Sequence, residues 1–227
     1  MTVEIFENER AVAYDSFIET WVPNYNIVLE TSYQLLKNKI GLEGEILVVG
    51  SGTGNEIRIF KAHENNWHIT GVDPSADMVE IALDKLQTYR NITIIEGEVS
   101  QLISSTDFDA ATLILVLHFI PDNGEKLRLL KDIAEKLKPG SPLLLVDIFG
   151  TKEEMAVKLR YLRESLPLIV LEDIEEIEAR FERIYEDIQY IPEARLFELL
   201  DEAGFENPIR FHQSTLYGGW ICTKKAY

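Results

Sequence analysis

The chain has 227 residues, of which 46% are hydrophobic and 27% are charged. These values are typical of one globular domain, with or without an insertion, that buries a normal hydrophobic core. It carries 22 basic and 39 acidic residues, so its net charge is −17. Such a field repels phosphate backbones, which disfavours broad nucleic-acid binding and favours a small partner.

The cysteine content and the N-terminal sequence indicate in which cellular compartment the protein is expected. Cys222 is the only cysteine, so no intrachain disulfide can form. The start of the chain is polar and lacks the pattern of a signal peptide, and no apolar run approaches the length of a membrane span. We therefore expect a cytoplasmic protein that does not enter the membrane.

The first forty residues predict a helical cover, which runs from Ala11 to about Lys39 and breaks near Pro23. Strand and helix patterns then alternate. The predicted strands are 45–50, 67–73, 92–95, 108–117 and 142–148. The predicted helices between them are 55–65, 75–89 and 123–137. This alternation indicates a parallel sheet with helices on both faces and a ligand crevice at the carboxyl ends of the strands.

The pattern changes after the fifth strand, because residues 151–190 contain no good strand and predict a helical insertion. Within 172–187, one apolar helix face is formed by Ile174, Ile177, Phe181 and Ile184. The insertion could cover the mouth of a pocket. Its apolar face could also pair with a second subunit, which makes a homodimer one expectation.

The last part of the chain predicts a helix and a closing hairpin. The helix ends near Ala203, where Gly204 is a typical C-terminal stop. Two strand-like runs follow, near 208–213 and 219–224, and we expect the turn between them to contain Gly218 and Gly219. Such a hairpin adds antiparallel strands to the parallel sheet.

The most informative motif is EILVVGSGTGNEI, residues 45–57. An apolar run is followed by alternating glycines at Gly50, Gly52 and Gly54, and a helical segment comes next. A strand, a bare turn and a helix N-terminus together present free N–H groups to a ligand. Asp73 ends the second strand, where nucleotide-binding proteins place an acid for the ribose.

Other glycine-rich loops fit this segment poorly. The dinucleotide pattern needs a third small residue where this chain has Asn55, and a P-loop needs a Gly-Lys pair that the chain lacks. A glycine turn that binds no ligand would also produce this pattern.

The motif resembles the G-x-G-x-G turn of class I S-adenosylmethionine-dependent methyltransferases. Further segments resemble the later motifs of that family in the same order: GVDPSADMVEIA, EGEVSQL, FDAATLILVLHFIPD and LKPGSPLLLVD. The resemblance covers about residues 40 to 150, and the ordered set is more specific than any single motif.

This resemblance implies an α/β fold, namely a Rossmann-like, seven-stranded, mostly parallel sheet with helices on both faces, an antiparallel C-terminal hairpin and a helical cap. It also implies S-adenosyl-L-methionine as the cofactor. We expect one methyltransferase domain over residues 1–227. Its parts would be an N-terminal helical cover (1–40), a cofactor-binding core (41–150), a helical insertion (151–190) and a closing helix and hairpin (191–227).

The resemblance also assigns the cofactor site. Asp73 would accept hydrogen bonds from both ribose hydroxyls, because an ionised carboxylate offers two acceptor oxygens. Tyr14, with Tyr25 as the weaker candidate, would reach the cofactor's carboxylate from the N-terminal helix, although either ring could simply pack in the core. The cofactor-binding residues expected in this way are Tyr14, Gly50, Ser51, Gly52, Gly54, Asp73, Pro74, Met78, Glu98, Val99 and Leu115.

Three positions depart from the family pattern. The family usually has an acid two positions before the first glycine, where it helps to orient the methionine part of the cofactor, and this chain has Val48. Glu98 stands where Asp is more common, and Ser141 replaces the second glycine of the LKPGG run. The fourth strand also lacks the N-P-P-Y motif of enzymes that methylate bases.

His118 is the candidate catalytic residue, and no metal site is expected. It follows the fourth strand, near the expected position of the reacting methyl group, and a histidine can take a proton from an acceptor hydroxyl or amine. The alternative is a histidine that only lines the pocket. Asp147, at the end of the fifth strand, could orient an acceptor or cap the next segment.

The function expected from the resemblance is O- or N-methylation of a small-molecule acceptor. ETWVPNYNIVLE and the C-terminal LLDEAGFENPIRFHQSTLYGGWICTKK also resemble the carboxy-S-adenosylmethionine synthase group, which modifies the cofactor itself. Such an enzyme needs a cation for the added carboxylate, and Arg180 and Arg183 are candidates. A non-catalytic cofactor-binding module would also fit the motifs, whereas a nicotinamide-dependent oxidoreductase fits them less well.

Overall fold

A seven-stranded sheet organises the chain in the computed structural model, which describes residues 11, 13–63, 66–102, 107–166 and 174–226. The strands are β1 (Glu43–Val49), β2 (Asn66–Asp73), β3 (Ile92–Glu96), β4 (Ala110–Ile114), β5 (Pro142–Ile148), β6 (Phe205–Ser214) and β7 (Tyr217–Lys224). Their order in space is β3-β2-β1-β4-β5-β7-β6. The first five are parallel, whereas β7 is antiparallel to both β5 and β6. This is the mostly parallel sheet with a closing hairpin that the sequence predicts.

Eight α-helices among the described residues cover the two faces of the sheet. They are α1 (Tyr14–Trp21), α2 (Tyr25–Ile40), α3 (Asn55–Ala62), α4 (Ala76–Leu86), α5 (Glu125–Lys136), α6 (Lys152–Ser165), α7 (Ile174–Glu186) and α8 (Glu193–Glu202). One hydrophobic core lies on each face. Side chains of α1 to α4, α6 and α7 enter the first core, and those of α5 and α8 enter the second.

The fourth strand is shorter than predicted. The pattern predicts a strand over 108–117, but β4 ends at Ile114 and a 3-10 turn follows over Leu117–Phe119. Leu115 has a φ of 59°, a left-handed conformation that is rare for a branched residue. The N–H of Leu117 then bonds the Asp147 carboxylate at 2.7 Å rather than a strand neighbour. These two features turn the chain out of the sheet before His118.

The predicted position of the hairpin turn is wrong. Thr215 and Leu216 form the turn, whereas Gly218 and Gly219 lie inside β7. A Cβ atom on Gly218 would collide with the rings of Trp220 and Phe149. The glycine therefore makes room for aromatic packing and does not supply turn geometry.

The apolar face of the insertion helix α7 packs inward. Ile177 and Phe181 are buried in the first core and Ile184 packs against it, while Ile174 is exposed. Of the predicted segment 172–187, residues 172 and 173 lie outside the described residues. This face is occupied within the chain, so a homodimer would need another surface. The homodimer and the four-part division of the domain stay predictions.

Candidate active site

The predicted site residues meet at the carboxyl edge of the parallel strands. The strand order reverses between β1 and β4, and ligands of open parallel sheets bind in the crevice at such a reversal. The glycine turn follows β1, Asp73 ends β2, Glu98 follows β3 and His118 follows β4. Segments far apart in the sequence therefore line one crevice.

The glycine turn keeps its backbone open toward the crevice. The N–H groups of Gly50 and Ser51 donate to the carbonyl of Val72, at 2.8 and 3.0 Å, which fixes the turn against β2. Gly52 has a φ of 50°, and a Cβ atom built on it would meet no atom within 4 Å. The space above Gly52 can therefore hold a ligand in contact with the bare backbone.

The carboxylate of Asp73 links the glycine turn to the start of α4. Its Oδ2 accepts from the N–H of Gly52 at 2.8 Å and its Oδ1 accepts from the N–H of Ser75 at 2.9 Å. Burial raises the pKa of Asp73, and the two backbone hydrogen bonds oppose that shift. Since a carboxylate oxygen accepts more than one hydrogen bond, both oxygens retain acceptor capacity for a diol.

The other residues predicted around the nucleoside lie at the ends of β2 and β3. Pro74 is exposed directly after β2, and Met78 is buried in the first turn of α4. Val99 is buried in the 3-10 turn after β3. Glu98 begins that turn, and its backbone N–H donates to the side chain of Gln101 at 2.9 Å. Their cofactor contacts stay predictions.

A cavity of about 450 Å³ opens between α1, α7 and the ends of β4 and β5, and no residue of the glycine turn is among its lining residues. Three of the predicted site residues line it: Tyr14, Leu115 and His118. The other lining residues are Ala13, Phe17, Ile18, Trp21, Val22, Phe119, Ile148, Ala179, Arg180, Arg183, Ile184, Ile188 and Tyr217. Most of these side chains are aliphatic or aromatic, so the cavity suits an apolar guest with few polar groups.

His118, at the wall of this cavity, pairs with a carboxylate behind it. His118 Nδ1 lies 2.6 Å from Asp147 Oδ1, and both residues are buried, at 6% and 3% exposure. Asp147 also accepts from the N–H groups of Leu117 and Ile148, each at 2.7 Å. The carboxylate is thus held by the backbone and in turn fixes the imidazole. The sequence identified both residues but not their contact.

A buried lysine supports the loop that carries His118. Lys126 Nζ donates to the carbonyl oxygens of Leu117 at 2.6 Å and Gln189 at 2.7 Å, and the residue is 1% exposed. Burial lowers the pKa of Lys126 to about 8, against the opposing charge of Asp147. This lysine fastens the loop after β4 to the segment after α7.

Two tyrosines approach the cavity from opposite ends of the chain. Burial, followed by the negative charge of Asp73, raises the pKa of Tyr14. Burial and the proximity of Tyr14 likewise raise the pKa of Tyr217, whose hydroxyl donates to the carbonyl of Trp21 at 3.4 Å. Both phenols thus remain protonated and can donate hydrogen bonds. Tyr217 is not among the site residues expected from the sequence.

The N-terminal helix is tied to the glycine turn by a polar cluster that the sequence analysis missed. Asp15 Oδ1 accepts from Thr53 Oγ1 at 2.5 Å and from Asn55 Nδ2 at 2.8 Å. Lys85 Nζ donates to Asp15 Oδ2 at 2.5 Å and to Asn55 Oδ1 at 2.8 Å. Thr53 and Asn55 belong to the glycine motif, so this cluster joins α1, the turn and α4.

Comparison with known proteins agrees with this geometry. The family described as "Methyltransferase domain" matches residues 47–143, which run from the last residues of β1 to the start of β5 and include the glycine turn. The chain is 28% identical over 185 residues to the demethylmenaquinone methyltransferase of Bacillus licheniformis, covering 78% of this chain and 75% of that protein. The matched domain and this relative support an S-adenosylmethionine-dependent methyltransferase.

Two other similarities refine the comparison. The carboxy-S-adenosyl-L-methionine synthase of Desulfotalea psychrophila is 30% identical over 152 residues, which are 63% of this chain and 60% of that protein. Human N-acetylserotonin methyltransferase, solved with S-adenosylmethionine, shares the fold at a TM-score of 0.65 and 19% identity. That alignment covers 95% of this chain but only 56% of the human chain, so the two proteins differ in length.

The residues of this methyltransferase fit its cofactor, S-adenosylmethionine. The space above Gly52 and the remaining acceptor capacity of Asp73 suit an adenosine ribose. The buried side-chain atoms Ser51 Oγ, Glu56 Oε1 and Thr112 Oγ1 have no hydrogen-bond partner among the described residues. Buried polar atoms are rarely left unpaired, and a polar ligand would satisfy them.

No helix in the described part of the chain has the length and apolar character needed to cross a membrane. A cytoplasmic location stays a prediction.

Proposed function

We propose that this methyltransferase transfers a methyl group to the hydroxyl of an apolar small molecule, and that His118 is the general base. The observation that supports the proposal is the pair formed by His118 and Asp147 at the wall of the cavity. Relatives named for demethylmenaquinone also favour a small-molecule acceptor. The net charge of −17 disfavours a polyanionic acceptor.

The pairing assigns a role to each imidazole nitrogen. An ionised carboxylate only accepts hydrogen bonds, so Nδ1 of His118 carries the proton that it shares with Asp147. Nε2 then keeps its lone pair and can accept the proton of an acceptor hydroxyl. The carboxylate stabilises the imidazolium that forms, as in other histidine bases paired with an acid.

The remaining work of the protein is positioning. When bound, the cofactor supplies a methyl group that its sulfonium already activates. Phe17, Trp21 and Ile148 give the cavity an apolar wall that excludes water and holds the acceptor. Holding two reactants in line can lower a barrier by roughly 7–11 kcal/mol, and a general base contributes a further 10²–10⁴-fold, roughly.

The His118→Gln variant tests the base. We expect methyl transfer to a panel of phenols and naphthols to slow by roughly 10²–10⁴-fold. The affinity for S-adenosylhomocysteine should change little, because His118 acts on the acceptor. Transfer from cofactor with a tritiated methyl group measures the first quantity and calorimetry measures the second. Asp147→Asn should also slow transfer, since an amide no longer selects the tautomer with a free Nε2.

His68→Gln is the matched control, because His68 is an exposed histidine on β2. It should leave both quantities at the wild-type level. If His118→Gln methylated at the wild-type rate, His118 would not be the general base. Matched anilines and naphthylamines are assayed beside the phenols and naphthols. Methylation of these amines and of none of the hydroxyl compounds would replace O-methylation by N-methylation.

One observation favours a second candidate, a carboxy-S-adenosylmethionine synthase-like reaction. Arg180 and Arg183 of α7 line the cavity, where either guanidinium could bind an added carboxylate. Mass spectrometry of the nucleoside that copurifies with the protein separates the two candidates. The methyl-transfer proposal expects only ordinary S-adenosylmethionine or S-adenosylhomocysteine, and a bound carboxylated form would favour the synthase.

A further inference from the structure

Glu56 is a buried acid that the proposed methyl transfer does not use. It is the second residue of α3, directly after the glycine turn, and it is 7% exposed. Its Oε1 has no hydrogen-bond partner in the described part of the chain. Burial raises the pKa of Glu56 to about 7, so near neutral pH a negative charge forms there with little compensation.

The surroundings of Glu56 place it against β1 and β4. The Thr112 hydroxyl is a neighbour of Glu56 and opposes the rise of its pKa, although neither Glu56 Oε1 nor Thr112 Oγ1 makes a hydrogen bond of regular geometry. Thr112 pairs with Val48 in the sheet register. Side chains two residues away on each strand, Ile46 and Ala110, enter the first core, so Val48 and Thr112 face that core, to which α3 also contributes side chains.

The position of Glu56 is therefore beside the place where this chain lacks an acid. Val48 is fully buried and has no carboxyl group, whereas Glu56 on α3 brings a buried carboxyl group to the same region. The negative charge of Glu56 also raises the pKa of Tyr25, after burial and the effect of Tyr14. Tyr14 lines the cavity. Glu56 thus follows the glycine turn directly and lies within electrostatic range of Tyr25, which is in turn close to Tyr14 at the cavity wall.

A buried carboxylate without a partner is costly, and a cation that bonds to it removes most of that cost. Among the described residues, no lysine or arginine forms a salt bridge with Glu56. The cofactor brings its own cation, the α-ammonium group at its amino-acid end, with three N–H donors. We propose that Glu56 binds this α-ammonium group and supplies from α3 the acid that is absent at Val48.

The proposal concerns the amino-acid end of the cofactor and needs no assumption about the acceptor. Its test uses two cofactor fragments. S-adenosylhomocysteine has the α-ammonium group, whereas 5′-methylthioadenosine has the same nucleoside without the amino-acid end. For Glu56→Gln we expect the affinity for S-adenosylhomocysteine to fall by roughly 10- to 100-fold, the usual effect of losing a charge-assisted hydrogen bond. The affinity for 5′-methylthioadenosine should stay at the wild-type level, which also shows that the variant is folded.

Glu153→Gln is the matched control. Glu153 is also the second residue of its helix, α6, but its side chain is exposed. This variant should bind both compounds as the wild type does. If Glu56→Gln lost affinity for both compounds equally, Glu56 would support the glycine turn and would not bind the ammonium group. An unchanged affinity for S-adenosylhomocysteine would also overturn the proposal. Neither result depends on whether His118 acts as a base.

Discussion

Asp147 shows how one carboxylate can set the geometry of a site. Two backbone N–H groups, from Leu117 and Ile148, and the imidazole of His118 all converge on it within 2.7 Å. With both oxygens held, the carboxylate cannot rotate away from the histidine. The same hydrogen bond from Leu117 directs the chain after β4 toward the cavity, so the residue that orients His118 also shapes the loop that carries it.

Leu115 has an unfavourable backbone conformation at the same place. A left-handed backbone is unfavourable by about 1–2 kcal/mol for a residue with a side chain. The N–H of Leu115 nevertheless bonds the carbonyl of Val146 at 2.8 Å, and the side chain is buried against the cavity. These contacts offset the cost. Strained backbone of this kind concentrates at functional sites, which agrees with the cofactor contact that the sequence predicts for Leu115.

At the scale of elements, the cluster of Asp15, Thr53, Asn55 and Lys85 connects the N-terminal helix to the glycine turn. Burial would raise the pKa of Asp15, but the hydrogen bonds from Lys85 and Thr53 bring it below its usual value. The acid is therefore ionised at neutral pH. Because α1 also carries Tyr14 to the cavity, loosening this connection should expose the cofactor site.

The Asp15→Asn variant tests this connection. It removes the charge from the ion pair with Lys85 and weakens the contact with Thr53. We expect S-adenosylhomocysteine to dissociate several-fold faster, as for the loss of about 1 kcal/mol of a partly exposed ion pair and its hydrogen bonds. Stopped-flow displacement measures the rate. Glu19→Gln, which changes an exposed acid on the same helix, is the control, and an unchanged rate for Asp15→Asn would show that α1 does not retain the ligand.

The elements themselves could largely be predicted from the sequence, because apolar periodicity and the glycine punctuation identify each strand and helix of the parallel core. The observed elements differ from the predicted ones where tertiary contacts determine the path of the backbone. β4 ends early because Leu115 and the Asp147 contact redirect the chain. Gly218 lies inside β7 rather than in the turn, and a glycine is needed there because the Trp220 ring leaves no room for a Cβ atom. Neither contact is visible in a local pattern.

At the scale of the whole molecule, the arrangement of the strands determines which parts of the site the sequence can predict. Parallel strands bring their carboxyl ends to one edge, so the convergence of the glycine turn, Asp73 and His118 follows from the fold class alone. The contact between His118 and Asp147 depends on the adjacency of β4 and β5 and on the conformation of one loop. The sequence does not point to Glu56, because the family motif has its acid on the strand and only the packing of α3 brings another acid close to that position.

Glu56 also links the site to the stability of the whole molecule. Its pKa is about 7 in the folded protein and 4.5 in an exposed carboxyl, so the folded state holds this proton more tightly than the unfolded state does. The stabilising contribution of the bound proton is complete below about pH 4.5 and is lost as the pH rises through 7. At higher pH the ionised, buried carboxylate therefore opposes folding when no cofactor is present.

Replacing Glu56 by Gln should consequently stabilise the cofactor-free protein, and more strongly at higher pH. The two pKa values correspond to a gain in the free energy of unfolding of about 1 kcal/mol at pH 5.5 and about 3 kcal/mol at pH 8. Urea denaturation of wild type and Glu56→Gln at both pH values measures the gain, with Glu153→Gln as the exposed control. A gain that does not grow with pH would mean that Glu56 finds a partner without the cofactor. A variant that is more stable but binds S-adenosylhomocysteine less tightly would identify Glu56 as a residue kept for its ligand at a cost to the fold.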